Sequence, residues 1–319
     1  MTYPKVSIII LNWNGLKDTI ECLESLKKIT YPNYEVIIVD NGSGGNDTDV
    51  LEERYKGYIG LIRNKENLGF TGGNNVAIHY LLKRNPPDYV FLLNNDTKIE
   101  KDCLSYLVTA NQKSGAGIVG SFIKEEGSGK IQSIGYYGSF PLLRQFFYPL
   151  LRWQRSIPKS GNDFWECLWV SGAAMLIQRE VLEKVYALNG YYLNEKLFLY
   201  DDELDFCTTA KELGYKNIVA KRAIVYHKGA KSMGGGYNPI GYYYMTRNHI
   251  LLATKLLPLP LKILFYPFRF LVAFVKILKN MTNRRFYSAL AIIYGLWDGY
   301  RGVTGKWKYH EKMMLKWTQ

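Results

Sequence analysis

Three apolar stretches of the sequence end abruptly in amide and carboxylate side chains. The stretches VSIIIL, YEVIIV and YVFLL have the β-branched and aromatic content of buried strands. The polar residues that follow them are Asn12 and Asn14, Asp40, and Asn94, Asn95 and Asp96. Asn and Asp are common turn formers, but open α/β sheets bind ligands beyond the carboxyl ends of their strands. Because the same ending occurs three times, we favour one ligand-binding edge over three unrelated turns.

A fourth polar stretch, NLGFTGGNN (67–75), is a glycine-rich turn that leads into a helix. Its glycines would let backbone N–H groups approach a phosphate at the helix start, and Asn67 and Gly69 lie in this turn. The stretch matches neither the GxGxxG nor the GK[ST] pattern, so it is a weak signal by itself.

Alternating strand and helix patterns must position these residues. We predict strands at 6–13, 59–64, 89–96 and 115–123, and a strand ending in a polar, glycine-rich turn at 34–45. We predict helices at 18–29 and 101–112, and a glycine-containing turn followed by a helix at 67–84. Strands and helices that alternate at these lengths are typical of a parallel, doubly wound α/β sheet. In such a sheet the polar strand endings share one edge.

The four cysteines, Cys22, Cys103, Cys167 and Cys207, lie far apart in apolar surroundings. We therefore expect free, buried thiols rather than a zinc site or disulfides. The first residues, MTYPKVSIII, lack the basic and apolar succession of a signal peptide. Both features predict a chain that works in a reducing cytosol.

Positive charge is concentrated near the end of the chain of 319 residues. Residues 221–319 contain 17 Lys and Arg but only two acids, Asp298 and Glu311, whereas residues 1–220 are nearly neutral. Such asymmetry predicts contact with a polyanion. The sequence contains no recognisable RNA- or DNA-binding module, so we favour an anionic membrane surface over nucleic acid.

Seven stretches taken together resemble one known family. They are VSIIILNWNG, VDNGS, NLGFTGGNN, LLNNDT, WVSGAAMLIQREV, FLYDDELDFCTTAKELGY and VYHKGAKS. In this order and spacing they resemble inverting GT-A glycosyltransferases of family 2, most closely the rhamnosyltransferase and galactofuranosyltransferase branch. The resemblance covers residues 5–250. It implies a Rossmann-like, doubly wound mixed sheet, a nucleotide-sugar donor, a divalent metal and transfer with inversion.

The resemblance assigns the metal to Asp96 and His227. The family's D-x-D motif is represented here by Asn94, Asn95 and Asp96, so the first acid is missing. One carboxylate, an imidazole and diphosphate oxygens could still hold Mn²⁺ or Mg²⁺. A strand-end histidine bonded to backbone is the alternative for His227.

The same resemblance assigns other residues to the two substrates. Asp40 matches the acid that contacts the base or ribose of a UDP- or dTDP-sugar, although it could instead cap a turn. Asn74 lies near the donor diphosphate or caps its helix, and Arg247 would add a positive contact. On the acceptor side are Trp169, Ser171 and Gly172; Trp169 could stack on a sugar ring, or belong to a core strand.

The general base is expected in the acidic stretch YDDELDFC. Four acids in six residues repel one another, so at least one pKa should be raised, which suits proton abstraction. Alignment on Asp205 places the base on Glu203, where the family usually has Asp, and Asp202 is the alternative. A solvated acidic helix start would also explain part of this cluster.

The basic region is expected to form a separate part of the protein. We predict a catalytic domain at 1–250 and a helical, membrane-associating or oligomerising region at 251–319. Lys255, Lys262, Arg269 and Lys276 recur every seven residues between apolar faces, which predicts a helix lying in the membrane interface. A helix packed on the catalytic domain or in a homo-oligomer is the alternative.

These features predict a peripheral enzyme on the cytoplasmic side of the cell membrane. It would transfer a sugar, with rhamnose as one candidate, to a glycan or polyprenyl-linked acceptor in cell-surface polysaccharide synthesis. A non-catalytic basic scaffold with a degenerate GT-A domain is the second hypothesis, because the first acid of the metal motif is missing.

Overall fold

The structure is a computed structural model that describes residues 3–137, 145–147, 158, 163–229 and 238–317, with side chains up to residue 313. The chain divides into two compact units. The first comprises Met1–Gly138, Arg155–Asn194 and Glu203–Gly229, and the second comprises Ser139–Gln154, Glu195–Asp202 and Ala230–Gln319. The domain boundary predicted at residue 250 falls within a helix, and it stays a prediction.

A mixed β-sheet forms the centre of the first unit. Its strands are β1 (Val6–Asn12), β2 (Tyr34–Asp40), β3 (Ile59–Arg63), β4 (Tyr89–Asn94), β5 (Thr97–Ile99), β6 (Ile118–Glu125), β7 (Ile131–Ser133), β8 (Phe164–Cys167), β9 (Ala174–Gln178) and β10 (Asn217–His227). The order is β3-β2-β1-β4-β9-β6-β10-β5, with β7 beside β6 and β8 beside β10.

The parallel part of the sheet follows the sequence-based prediction, and the rest corrects it. Strands β3, β2, β1 and β4 are parallel neighbours, as are β6 and β10. Strand β9 runs antiparallel between β4 and β6, so the wholly parallel sheet predicted from the strand–helix alternation is wrong. The mixed sheet that the family resemblance implies is confirmed.

An apolar core lies on each face of this sheet. Successive side chains of a strand point to opposite faces and therefore join different cores. In β1, Ile8 and Ile10 join one apolar core while Ile9 joins the other. The helices of this unit are α1 (Leu16–Leu26), α2 (Asp47–Arg54), α3 (Gly69–Arg84), α4 (Cys103–Ser114), α5 (Arg179–Asn189) and, from its second residue onward, α6 (Asp202–Glu212). All four cysteines are free and buried, as predicted.

Strand register brings the polar endings to one edge, as expected. Asn12 at the end of β1 pairs with Asp40 at the end of β2, and Leu11 pairs with Asn94 at the end of β4. Helix α3 packs closely beneath this edge because Gly73 has no side chain: a Cβ there would lie 2.4 Å from Leu11 Cδ1.

The second unit is helical. Its helices are α7 (Pro239–Leu256), α8 (Leu259–Thr282), α9 (Phe286–Tyr300) and α10 (His310–Trp317). Its core includes Tyr243 stacked on Trp307, with ring centroids 4.1 Å apart. Within the described residues, no helix has the length and apolar character needed to cross a membrane.

Helix α8 corrects the predicted orientation of the seven-residue basic repeat. Arg269 is buried, and its Nη2 donates to the Met245 carbonyl at 3.3 Å. Phe265, Ala273 and Asn280 are buried on the same helix. The repeat therefore identifies a helix face, but at Arg269 that face is turned inward because it packs against neighbouring structure.

Candidate active site

Asn12 organises the ends of the first two strands. Its buried Nδ2 lies 3.0 Å from Asp40 Oδ1, 3.2 Å from Ser43 Oγ and 3.1 Å from Asp47 Oδ2. Its Oδ1 accepts from Thr19 Oγ at 2.7 Å. Asn12 is therefore saturated by protein partners and positions Asp40 rather than presenting a free amide to a ligand.

Asp40 is held as an oriented carboxylate. Ser43 donates to it through Oγ at 2.6 Å and through its backbone N at 3.2 Å. Exposed Asn14, with a φ of 51°, closes the same loop: its N donates to Ser43 Oγ, and its Oδ1 accepts from Gly44 N, both at 2.9 Å. The 40–44 loop is thus pinned against the end of β1.

The glycine-rich turn is anchored by Asn41, which sequence reasoning missed. Asn41 Nδ2 donates to Asn67 Oδ1 at 3.1 Å and to the Gly69 carbonyl at 3.0 Å, and its Oδ1 accepts from Leu68 N at 3.2 Å. Gly69 has a φ of +75°, a conformation that favours glycine. Buried Asn74 is different, because its Nδ2 donates to the Phe70 carbonyl of its own helix at 2.8 Å.

The predicted metal ligands meet at the same edge. Asp96 Oδ1 lies 3.1 Å from His227 Nε2, and Asn94 Nδ2 lies 3.5 Å from that nitrogen. Asn95 points elsewhere and donates to Thr19 Oγ at 3.0 Å. The structure therefore brings together one carboxylate and one imidazole from residues 131 positions apart in the sequence.

Gln132 fixes the orientation of the His227 ring. Its Oε1 lies 2.9 Å from His227 Nδ1, and because an amide oxygen only accepts, Nδ1 carries the proton. With its proton on Nδ1, the neutral tautomer has Nε2 as the nitrogen that can bind a metal beside the Asp96 carboxylate. Two adjacent Lewis bases of this kind can share a cation, and a hydrogen bond behind a metal-binding histidine is a common supporting contact.

The Asp96–His227 pair fits a divalent metal. Donors about 2.1 Å from a metal at adjacent octahedral positions lie about 3 Å apart, which agrees with the 3.1 Å separation. In the part of the chain that the structure describes, no three His, Cys, Asp or Glu side chains gather into a metal-binding group. The two residues would need further oxygen ligands, which a diphosphate and water can supply.

The predicted acceptor segment lies beside the predicted base. A Cβ on buried Gly172 would lie 3.6 Å from the Phe70 ring and 3.9 Å from Glu203 Cβ. Ser171 Oγ accepts from Ala173 N at 3.3 Å. Trp169 stacks on Tyr136, with centroids 5.7 Å apart, which covers one face of its indole. The glycine-rich turn, residue 172 and the start of α6 are thus neighbours.

The acidic stretch separates into side chains with different surroundings. Glu203 is half-buried, whereas Asp202 and Asp205 are almost completely buried. Asp205 Oδ2 accepts from Asn194 Nδ2 at 3.0 Å, which gives this carboxylate a structural partner. Of the two candidate bases, Glu203 has the greater access to a substrate.

A family model described as Glycosyl transferase family 2 matches residues 7–186. The chain belongs to glycosyl transferase family 2. The matched region contains the ends of β1, β2 and β4 and the glycine-rich turn. The family assignment predicted from the motifs is confirmed, and the rhamnosyltransferase and galactofuranosyltransferase branch stays a prediction.

Curated relatives of this family 2 chain include a glycan biosynthesis hexosyltransferase and a poly-N-acetylglucosamine synthase. Over 207 residues it is 25% identical to the low-salt glycan biosynthesis hexosyltransferase Agl10 of Haloferax volcanii, covering 65% of this chain and 61% of the relative. Over 212 residues it is 28% identical to the poly-beta-1,6-N-acetyl-D-glucosamine synthase of Staphylococcus epidermidis, covering 63% and 47%. The chain spans between about a quarter and about three fifths of the length of such relatives.

Solved structures share the fold. S. aureus TarS 1–349 in complex with UDP-GlcNAc has a TM-score of 0.52 at 19% identity and covers 77% of this chain and 66% of that one. The mannosyltransferase PcManGT from Pyrobaculum calidifontis, in complex with GDP-Man and Mn²⁺, has a TM-score of 0.52 at 14% identity and covers 94% and 88%. The family 2 chain therefore has a GT-A-like fold.

Arg247 is not brought to a ligand surface in this family 2 protein. It lies fully buried in the second unit, where its Nη1 donates to the Gly305 carbonyl at 2.6 Å and its Nη2 to the Leu197 carbonyl at 2.8 Å. Asn248 donates to the Leu199 and Tyr200 carbonyls. Because its donors are occupied by backbone carbonyls and by Asn248 Oδ1, Arg247 positions neighbouring backbone rather than making the predicted donor contact.

These contacts support a strained segment just before α6. Phe198, Tyr200 and Asp201 have φ values of 64°, 66° and 62°, which is costly for side chains with a Cβ. Such backbone persists only when its surroundings hold it, as Arg247 and Asn248 do. No local sequence signal predicts this arrangement, since neither Phe nor Tyr favours positive φ.

Two further positioning residues were missed at the sequence level. Gln132 lies in a short strand without an apolar pattern, so nothing marked it. Lys228 Nζ contacts Asp18 at 2.5 Å and Glu21 at 2.9 Å, which ties the residue after His227 to α1. Hydrogen bonds from Lys228 and then Lys98 lower the pKa of Glu21 to about 2. From the sequence alone, Asp18 and Glu21 fit the solvated face of an ordinary helix.

Proposed function

We propose that the protein is a metal-dependent, inverting glycosyltransferase that uses a nucleotide-diphosphate sugar. The observation that carries the proposal is the contact between Asp96 and His227 at a sheet edge that also holds Asp40. Asp40 would meet the nucleoside end of a nucleotide diphosphate. The Asp96–His227 pair, on the same edge, would meet the diphosphate end through a metal.

Asp40 would recognise the nucleoside. Its Oδ2 accepts one backbone N–H from Ser43, which leaves lone-pair capacity for a base N–H or a ribose hydroxyl. Uracil and thymine both offer an N–H donor, so this contact is compatible with a UDP- or dTDP-sugar. The Asn41-anchored turn at Asn67 and Gly69 would bring backbone N–H groups near the donor.

Asp96 and His227 would hold Mn²⁺ or Mg²⁺, with Gln132 keeping the imidazole in its binding orientation. When bound, the metal would neutralise charge that develops on the departing diphosphate. The imidazole favours Mn²⁺ over Mg²⁺, since nitrogen ligands suit transition metals better. The missing first acid at Asn94 is compatible with this role, because the diphosphate brings its own negative charge.

Glu203 would act as the general base. It would take the proton from an acceptor hydroxyl, whose oxygen attacks the anomeric carbon as the bond to the diphosphate breaks. A single displacement of this kind inverts the anomeric configuration. The position of Glu203 beside Gly172 and Phe70 supports its assignment over Asp202.

The acceptor would be a hydroxyl of a glycan or polyprenyl-linked saccharide. Relatives named for glycan biosynthesis and polysaccharide synthesis support this class, and the motif pattern makes rhamnose one candidate sugar. A lipid-linked acceptor would be presented at a membrane, and the basic second unit supports a peripheral location on its cytoplasmic side.

Donor screening followed by turnover tests the proposal. UDP-, dTDP- and GDP-sugars are compared by thermal shift with and without Mn²⁺, and the stabilising donor is assayed for hydrolysis and transfer. We expect stabilisation that needs Mn²⁺, turnover that EDTA removes and excess Mn²⁺ restores, and inverted product by NMR. A chain that binds and turns over none of these donors would instead fit the non-catalytic scaffold.

A further inference from the structure

Helix α9 buries mostly small side chains and leaves most of its large apolar side chains exposed. Its buried face consists of the small residues Ser288, Ala289, Ala291, Gly295 and Gly299 together with Ile292 and Leu296. Its exposed face includes Phe286, Tyr287, Leu290, Ile293, Trp297 and Tyr300. In water the large apolar side chains would normally be the buried ones, so the outward face of α9 calls for an apolar partner.

The small face allows α9 to pack closely against α7. A Cβ on Gly295 would lie 2.7 Å from the Tyr243 carbonyl oxygen, and one on Gly299 would lie 3.0 Å from Ile250 Cδ1. Close packing through small residues, with large apolar residues outside, is typical of helices in contact with lipid.

The neighbouring helix α8 also exposes apolar side chains. They are Leu259, Ile263, Leu264, Phe270, Leu271, Phe274, Val275, Leu278 and Met281. The two helices are joined by residues 283–285, and Tyr300 Oη donates to the Tyr266 carbonyl at 2.9 Å. We call the exposed apolar residues of α8 and α9 the hairpin surface.

Charge around the hairpin surface selects its partner. Residues 238–317 carry 13 Lys and Arg against Asp298 and Glu311, and Lys255, Lys279 and Arg301 are exposed. A second copy of the chain would bring like charges together, which disfavours a dimer through this surface. Anionic lipid headgroups complement the charge, while the acyl boundary accepts apolar side chains and interfacial Trp and Tyr rings.

We propose that the hairpin surface inserts into the interface of an anionic membrane. This assignment moves the predicted contact from the seven-residue basic repeat to the apolar outer faces of α8 and α9. It deepens the proposed function by supplying the surface that would meet a lipid-linked acceptor. Vesicle binding needs neither donor nor metal, so its failure and the failure of glycosyl transfer are distinguishable.

Vesicle sedimentation tests the proposal. The full chain is mixed with vesicles of phosphatidylcholine alone or with about one third phosphatidylglycerol, at low salt and at about 0.5 M NaCl. The double variant Phe270→Ser/Trp297→Ser removes two exposed rings. The matched control is Tyr80→Ser/Leu188→Ser, which changes exposed side chains of the first unit. Circular dichroism checks that each variant is folded.

At low salt, the wild type and the control should bind anionic vesicles more strongly than neutral ones. At high salt this preference for anionic vesicles should become weak. The double variant should partition at least tenfold less, since each buried ring contributes about tenfold. Vesicles of brominated lipid should quench the fluorescence of an inserted Trp297. This quenching should be lost in Trp297→Phe and retained in Trp13→Phe. Wild-type protein that fails to bind anionic vesicles, or a double variant that binds like wild type, would overturn the proposal. A dimer that the double variant dissociates, without vesicle binding, would assign the surface to a second copy.

Discussion

The sheet edge of the first unit and the surroundings of Arg247 in the second unit satisfy their polar side chains in different ways. At the sheet edge of the first unit, Asn12, Asp40, Asp96 and His227 are bonded mainly to other side chains. In the second unit, buried Arg247 is bonded to backbone carbonyls. Side chains held by other side chains can exchange a partner for a ligand at modest cost, whereas groups held by backbone maintain a shape. The first arrangement suits a binding site and the second a scaffold.

Ionisation follows the same division. Lys228 and Lys98 lower the pKa of Glu21 in the first unit through ion pairs. In the second unit burial dominates: it lowers the pKa of Arg269 to about 10 and that of His310 to about 4. At these positions charge is stabilised by ion pairs in the first unit and disfavoured by burial in the second.

The largest expected effect concerns the side chain that would do the chemistry. Glu203→Gln keeps the shape but cannot accept a proton, so kcat should fall roughly 10²-fold or more, with donor affinity little changed. Glu212→Gln, at the exposed end of the same helix, should retain wild-type kcat. Steady-state kinetics with the identified donor provide the measurement. If Asp202→Asn lowers kcat and Glu203→Gln does not, Asp202 is the base.

The next largest effect should follow from losing the hydrogen bond between His227 and Gln132. Gln132→Ala frees the imidazole, and Mn²⁺ affinity should fall by about 10- to 100-fold, the usual range for removing such a contact. Isothermal titration of Mn²⁺ measures this directly. Gln112→Ala, on the exposed face of α4, should titrate like wild type. Unchanged affinity in Gln132→Ala would mean that His227 does not depend on it.

A smaller effect, on stability, should reveal the close packing of α9 through its small residues. Gly295→Ala adds one methyl group against the fixed Tyr243 carbonyl, which should lower the free energy of unfolding by about 1–3 kcal/mol. Ile293→Ala removes more atoms from an exposed position of the same helix and should change it by less than about 0.5 kcal/mol. Urea unfolding gives both values. If Ile293→Ala lowered the free energy of unfolding more than Gly295→Ala, the face of α9 that carries Ile293 would be the packed one.

The last prediction is a pH dependence of stability. Burial chiefly, helped by Lys306 and opposed by Glu311, lowers the pKa of His310 from 6.5 to about 4; its Nδ1 lies 3.2 Å from Tyr244 Oη. Between these pH values the unfolded chain binds more protons, so His310 should reduce stability as pH falls from 6.5 toward 4. His310→Gln should show a shallower slope in thermal unfolding across this window. An identical slope would exclude His310 as the cause.

Local pattern predicted the edge of the sheet well, because strand ends and register follow from short apolar runs. Neither the antiparallel insertion of β9 nor the contact of Gln132 with His227 could be predicted, since both depend on segments distant in sequence. The seven-residue spacing around Arg269 located a helix face, but spacing alone does not say which face packs inward. Burial of Arg247 likewise depends on carbonyls some 50 residues away.

Mn²⁺ titration of wild type, Asp96→Asn and His227→Ala tests the central claim most directly. Calorimetry in the presence of the nucleotide diphosphate should give one site per chain in the wild type and at least tenfold weaker binding in each variant. Asp49→Asn, which changes an exposed carboxylate of α2, should bind like wild type. Wild-type affinity in Asp96→Asn would contradict the assignment of Asp96 as a metal ligand.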